Sequence, residues 1–392
     1  MNKNDITYLV GDSNITDKPL EIYSEFVCEF LDSLSKILMN TDETKKYPDV
    51  ITFAFWCRKA NILKLKSEYQ SKYKRVGRGI VFHIAPSNVP INFAFSLAFG
   101  LLAGNSNIVR VSSKKFEQVD AVCECIKKCL AKQEFQKLKN YICVVRYLHN
   151  KEITDEFSMN CNCRVIWGGN DTINKIRESK ISARTNEITF ADRYSFAMFD
   201  ERAIELLSEK ELKKLVEKFY NDTYLMDQNA CSSPKLIFWI KSDDGIGRKK
   251  FWEMLDQIVL KYDLTEKKVV DKYTHICEVA ATGKCKTIAY KNNFLYVTTP
   301  INFSNKIEVL SGKFGIFYQI EIDKIEDALI NISDKIQTVV TYGIDMYKLQ
   351  DDIIKYRCKG IDRIVKIGSA LDIGVFWDGY DVIGNMSRVI YL

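Results

Sequence analysis

One cysteine stands in a setting suited to covalent chemistry: Asp227-Gln228-Asn229-Ala230-Cys231-Ser232-Ser233-Pro234. Small and polar residues flank it, between a helical stretch and a strand-like run, as expected of an accessible thiol. A thiolate is both a strong nucleophile and a good leaving group, which thioester chemistry requires. A cysteine by itself is more often inert packing. A second segment, Pro86-Ser87-Asn88-Val89-Pro90, is stiffened by two prolines. Asn88 between them can offer its amide N–H to a developing oxyanion, or cap the following helix. A third segment, Gly168-Gly169-Asn170-Asp171, joins a strand-like run to a helical one. Glycines there let phosphates approach the backbone and a helix N-terminus. The spacing is not GxGxxG, and an ordinary strand–helix turn also fits.

These segments need a frame. Residues 1–70 read as helical and amphipathic, notably 20–39 and 50–69. Strands are then predicted over 78–85, 107–112, 141–147, 163–167 and 195–199, with helices over 91–103, 116–132, 153–159, 172–178 and 209–221. A second unit follows, with strands over 235–240, 294–298, 317–322, 337–341 and 363–367 and a helix over 249–261. The alternation predicts an α/β fold with parallel sheets covered on both faces. The closing residues 377–392 alternate and predict an edge or exchanged strand.

Composition narrows the function. The 392 residues carry 57 Lys and Arg against 51 Asp and Glu, a net charge of +6. No basic tract points to nucleic acid. A mildly basic surface favours anionic ligands such as nucleotide phosphates or coenzyme A. The longest apolar run, 91–103, is broken by Asn92 and Gly100 and is too short for a membrane span. The N-terminus MNKNDITYLVGDSNITDKP has no apolar signal segment, so a cytoplasmic protein is expected. The twelve cysteines are then expected as reduced thiols. Cys123, Cys125, Cys129, Cys161 and Cys163 match no common zinc spacing and read as small buried side chains; no metal is expected. His83 and His149 read as structural or loop residues, and His275 as structural or near the site.

Taken together and in order, these segments resemble the aldehyde dehydrogenase superfamily from about Gly77 to the C-terminus. PSNVP is similar to its Pro-x-Asn-x-Pro oxyanion segment, LLAGNSNIVRVSSK to the stretch entering the adenosine-binding strand, and WGGND to its pyrophosphate turn. DQNACSSP is similar to its catalytic-cysteine segment, and WDGYDVIGNMSR to its terminal crossing segment. Within it, VGRGIVFHIAPSNVP, LLAGNSNIVRVSS, QNACSSP and WDGYD resemble the LuxC family of acyl-CoA reductases, the fatty acyl reductases of bacterial luminescence. The resemblance implies an aldehyde dehydrogenase-like fold. Residues 1–200 would bind a nicotinamide cofactor, 201–365 would carry the nucleophile, and 366–392 would return across the site and support a homo-oligomer. It implies reduction of an acyl-CoA or acyl-protein thioester to a fatty aldehyde. Cys231 would be the nucleophile and Asn88 the oxyanion donor. Arg110, Ser112, Ser113, Lys114, Gly168, Gly169 and Asn170 would hold the cofactor. An acyl-protein synthetase is an implied partner. Oxidation of a small aldehyde to a CoA thioester, or a non-catalytic acyl carrier, are the rival readings.

Two departures from hydrolytic aldehyde dehydrogenases matter. Their Glu-Leu-Gly-Gly-Lys segment supplies a water-activating glutamate. The comparable place here reads Phe190-Ala191-Asp192-Arg193-Tyr194, with the glutamate position near Phe190 and Glu187 and Asp192 close by. Slow hydrolysis of an acyl-enzyme is therefore expected, which favours reduction. Ser113 stands where NAD-preferring relatives carry a ribose-binding glutamate, with Arg110 and Lys114 beside it. A hydroxyl among cations tolerates a 2′-phosphate, so NADPH is the expected cofactor.

Overall fold

Short strands separated by helices build two main sheets, each in its own unit. The computed structural model describes residues 5–69, 71–283, 285–289, 293–301, 306–330 and 332–392. One unit comprises Met1–Ala191 with Gly374–Leu392, and the other Asp192–Ile373.

The first unit contains β1 (Thr7–Val10), β2 (Lys74–Gly77), β3 (Ile80–Ile84), β4 (Ser106–Arg110), β5 (Ile142–Arg146), β6 (Cys163–Trp167) and β7 (Asn186–Phe190). Its main sheet runs β1-β5-β4-β3-β6-β7. Only β1 is antiparallel to its neighbour. The chain winds outward from β3 to β4 and β5, then returns to β6 on the other side of β3. Ligands of doubly wound sheets bind at such a reversal, beyond the carboxyl ends of the strands. Residues 86–90 follow β3 and residues 168–170 follow β6, so both segments occupy that place.

Helix Asn92–Leu102 packs against this sheet and buries every residue after Asn92. A helix apolar on all sides needs cover on all sides. Gly100 allows close approach: a Cβ there would stand 1.8 Å from Asn107 Oδ1 and 3.0 Å from His83 Nε2.

The second unit holds β8 (Tyr194–Asp200), β9 (Pro234–Ile240), β10 (Cys285–Ala289), β11 (Tyr296–Pro300), β12 (Ile316–Ile322), β13 (Ile336–Tyr342) and β14 (Arg363–Lys366). The order is β10-β11-β12-β9-β8-β13-β14, with only β10 antiparallel. Both faces are buried. Phe199, Trp239, Phe251 and Phe317 lie in one core and Phe196, Phe238, Tyr318 and Val339 in the other. Helix Glu209–Thr223 starts in a capping box formed by Ser208 and Glu211.

The closing segment rejoins the first unit. β15 (Phe376–Trp377) and β16 (Tyr380–Asp381) form a hairpin across Asp378 and Gly379, both at positive φ, the geometry an Asp-Gly turn prefers. β17 (Ser387–Ile390) pairs antiparallel with β2. Arg75 donates to Gly384 O, Arg78 and Asn186 to Asn385 O, and Asn105 to Met386 O.

The structure differs from the sequence expectations at the unit boundaries and near the N-terminus. The divide falls at 191/192 rather than after 200, because β8 pairs with β9 and β13. The expected boundary at 365/366 falls inside the second unit, and the return to the first begins at Gly374. Residues 1–70 are not all helical: β1 is a strand pairing with β5, and 50–69 is two helices, Pro48–Trp56 and Lys59–Glu68. Among the described residues no helix is long and apolar enough to cross a membrane.

Candidate active site

In the second unit, residues 227–233 run from the end of the helical stretch into β9. Asp227 and Gln228 both have positive φ, 54° and 57°, which is costly for residues with a Cβ. Groups on other elements fix them there. Asp227 accepts from Tyr262 Oη at 2.5 Å and pairs with Lys268 at 2.9 Å. The buried Gln228 carboxamide accepts from Gly315 N at 2.7 Å and donates to Ile316 O at 3.2 Å. Ser233 N donates to Ala230 O, and Ser233 Oγ to Asp222 O at 2.7 Å.

Ser195 completes the clamp. The ladders on both sides of β8 shift register beside it. Its hydroxyl bridges the gap, donating to Cys231 O at 2.6 Å and accepting from Thr338 N at 3.2 Å. The loop therefore fixes the Cys231 backbone and leaves the residue only partly buried. That is the arrangement a nucleophile needs.

Eight of the twelve cysteines are buried, which separates them from Cys231. Cys123, Cys125 and Cys129 line the inner face of helix Glu117–Leu130. Burial pushes the Cys123 thiol up to about 12, so it stays protonated and inert at neutral pH. Among the described residues no group of His, Cys, Asp and Glu is arranged to hold a metal ion.

In the first unit, Asn88 is exposed in the loop after β3. It does not cap the next helix, whose N-cap is Ile91. Arg110 ends β4 with its guanidinium 4.7 Å over the Tyr147 ring. Its Nε is buried and has no hydrogen-bond partner among the described residues. Ser112 Oγ accepts from Lys114 N at 3.2 Å, turning the chain. Ser113 and Lys114 are exposed, and the next helix is capped at Phe116 instead. Gly169 is the N-cap of helix Asn170–Arg177 and offers no side-chain cap, so its first amides are open. Asp171 in that first turn opposes an anion, which moderates the attraction of the helix end. An orphaned guanidinium nitrogen at one strand end and uncapped amides at another fit a nucleotide cofactor.

Aromatic rings and a hydrogen-bond chain support this edge. Trp167, immediately before Gly168, stacks on Phe190 at 3.7 Å, and Phe190 meets the Tyr380 ring edge-on at 5.7 Å. Trp167 Nε1 donates to Ser96 Oγ at 2.9 Å. His83 Nδ1 lies 2.7 Å from Ser96 Oγ and its Nε2 2.9 Å from Asn107 Oδ1. Asn107 Nδ2 donates to Asn105 O, so Oδ1 is the acceptor and His83 carries its proton on Nε2. The Ser96 hydroxyl then donates to Nδ1. His83 is thus a neutral strut linked through Ser96 to Trp167, beside the Gly168-Gly169 turn.

Burial lowers the His83 pKa to about 4, against the hydrogen bond it donates to the Asn107 side chain, which raises it. The unfolded chain therefore takes up this proton first as pH falls. Stability from this residue is complete above the unfolded pKa of about 6.5 and is lost as pH falls towards 4. The expected loss is roughly 3 kcal/mol. Denaturant midpoints at pH 7.5 and 5 should differ less in His83→Gln than in the parent. Equal differences in both proteins would contradict this account.

The other carboxylates near the glutamate position do not replace it. Burial of Glu187 opposes its charge, but Arg177 and Arg164 outweigh this and hold its pKa low. It is a structural anion. Asp192 lies exposed before β8. His275 contacts Tyr318 Oη at 3.4 Å, so its contact is with a core tyrosine. The roles of Gln228 and Ser195 were not visible in the sequence. Gln228 lay within the quoted cysteine segment, but nothing marked Ser195.

Solved structures share this fold. An indole-3-acetaldehyde dehydrogenase in complex with NAD+ superposes with a TM-score of 0.65 at 12% identity, covering 93% of this chain and 83% of that one. The lactaldehyde dehydrogenase of Escherichia coli gives 0.61 at 13% identity over 93% and 86%. The chain therefore has the aldehyde dehydrogenase-like α/β fold. More narrowly, residues 58–389 match the family described as acyl-CoA reductase (LuxC), and the chain belongs to that family. Two curated relatives are long-chain acyl-protein thioester reductases. The Vibrio harveyi protein is 22% identical over 304 residues, covering 74% of this chain and 59% of the relative. That of Photobacterium phosphoreum is 22% identical over 315 residues, covering 76% and 61%. The matched region thus spans about three fifths of each relative's length.

Proposed function

We propose that this protein reduces an activated fatty acyl group, an acyl-CoA or acyl-protein thioester, to a fatty aldehyde through an acyl-cysteine on Cys231. The observation that carries this is the clamped loop 227–233 presenting a partly exposed thiol, in a chain of this family. The Cys231 thiolate attacks the acyl carbonyl, and the donor's thiolate leaves and takes up a proton. The motif resemblance assigns the tetrahedral oxyanion to the Asn88 amide and the Cys231 backbone N–H. When bound, a nicotinamide cofactor supplies the hydride that reduces the thioester. Collapse of the thiohemiacetal then returns Cys231. An acyl-protein synthetase is the proposed partner, and a homo-oligomer the proposed assembly. Incubation with acyl-CoAs of graded length should consume cofactor and yield aldehyde, fastest with long chains. Acylation without turnover would point to a carrier instead. Faster oxidation of short aldehydes with CoA would point to the reverse reaction.

Arg110, Ser112, Ser113 and Lys114 are proposed to bind the adenosine end, and Gly168, Gly169 and Asn170 the pyrophosphate. NADPH is proposed over NADH, because exposed Ser113 and Lys114 present a hydroxyl and a cation and no carboxylate. Ser113→Glu should weaken NADPH binding by tenfold or more, since about 1.4 kcal/mol of repulsion suffices, and spare NADH. Titration by cofactor fluorescence would read this, and an unchanged ratio of the two affinities would contradict it.

A further inference from the structure

We infer that Lys235 holds Cys231 as a thiolate, a positioning role that rests on reading Cys231 as the nucleophile. The pairing of β8 with β9 passes from Ser195↔Pro234 to Phe196↔Leu236. Lys235 is thus the extra residue of a β-bulge, four positions after Cys231. A bulge re-aims the side chain of its extra residue, and such bulges recur beside active sites. Here the side chain is largely enclosed. Its Nζ stands over the Tyr194 ring at 6.0 Å, and its electrostatic neighbours are Cys231 and Asp192. Tyr194 is the residue before Ser195, whose hydroxyl holds the Cys231 carbonyl.

The other charges near this ammonium are paired or screened. Arg193, next to Asp192, is ion-paired with Asp362. Tyr194 Oη donates to Leu310 O, and burial keeps that phenol protonated, with Tyr318 and Glu308 adding to the effect. Asp192 is exposed, so water screens its charge. Burial lowers the Lys235 pKa, while a Cys231 thiolate and Asp192 raise it. An enclosed cation therefore gains from a neighbouring thiolate, and by reciprocity the thiolate gains from the cation. A leucine here would pack without that desolvation cost, so the lysine has a use other than filling β9.

The test is the pH dependence of Cys231 alkylation by iodoacetamide. It uses the full chain without cofactor or acyl donor, read by peptide mass spectrometry. The parent should titrate below the free-thiol value of about 8.5. Lys235→Met should raise the midpoint by about one pH unit, slow alkylation at pH 7 by roughly tenfold, and leave the high-pH plateau unchanged. Lys235→Arg should keep most of the parent profile, and it supplies the comparison if the methionine variant does not fold. An arginine profile displaced upward, or a methionine profile superposing on the parent, overturns the inference. Because alkylation needs no turnover, the two readings fail separately. A moved midpoint in a chain that makes no aldehyde overturns the reductase reading alone, and an unmoved midpoint in a working reductase overturns the Lys235 role alone.

Discussion

Cys231→Ala abolishes both acyl transfer to the protein and aldehyde release, a fall of at least about 10³-fold in rate. No other thiol takes over. Eight of the remaining cysteines and Cys231 differ in kind, because those eight are enclosed and their protonated form is the stable one. Cys277, Cys285 and Cys358 have some exposure, but none lies in a segment clamped like 227–233. The loss should not come from unfolding. The loop is held through the Asp227 and Gln228 side chains and the Cys231 carbonyl, none of which alanine removes. The stability change should stay within about 0.5 kcal/mol, as for a partly exposed site. Thermal denaturation of both proteins checks this. A matched Tm with activity lost is the expected pair, and full turnover by the variant would end the covalent scheme.

Phe190→Glu converts the chain towards hydrolysis. The resemblance puts the water-activating glutamate near Phe190, and here that residue is a buried ring stacked on Trp167. Its neighbours do not act as substitutes, because Glu187 is neutralised by two arginines. Supplying a carboxylate should speed release of free fatty acid from the acyl-enzyme by roughly 10²-fold, the lower range for a general base. Losing the ring stack and burying a carboxylate should cost about 3 kcal/mol of stability. Phe190→Leu separates the two effects: it loses the stack and gains no base. Fatty acid release that rises equally in both variants would mean that the ring merely excludes water. No rise in either would contradict the placement of the glutamate position at Phe190.

The fold was legible where patterns were long and regular. The strands around residues 80, 106, 163, 194, 234 and 316 each carry a short run of apolar residues, as parallel strands buried on both faces tend to. Less legible were elements whose stability comes from distant partners. β1 has only four residues and forms because β5 lies beside it. β2 is charged over half its length and is fixed by β17, more than three hundred residues away. The same division holds at the site. Cys231, Asn88 and the Gly-Gly turn stand out as candidates through their motifs. The clamp was not, because Ser195 becomes meaningful only when register shifts on both sides of β8 leave it a gap to bridge. Lys235 was hidden for the same reason: alternation counts it as an ordinary strand residue, and only the bulge singles it out. The stack of Trp167, Phe190 and Tyr380 joins three segments that no local pattern relates.

The central claim is an acyl group carried by Cys231 and then discharged by reduction. The most direct test is a single-turnover experiment with a long-chain acyl-CoA. Protein mass is followed before and after NADPH is added, with the modified peptide sequenced. The account predicts one acyl group on Cys231, stable in buffer, that disappears on NADPH addition as one equivalent of aldehyde forms. An acyl group on another residue, or aldehyde formed at the same rate with Cys231 never acylated, would contradict it.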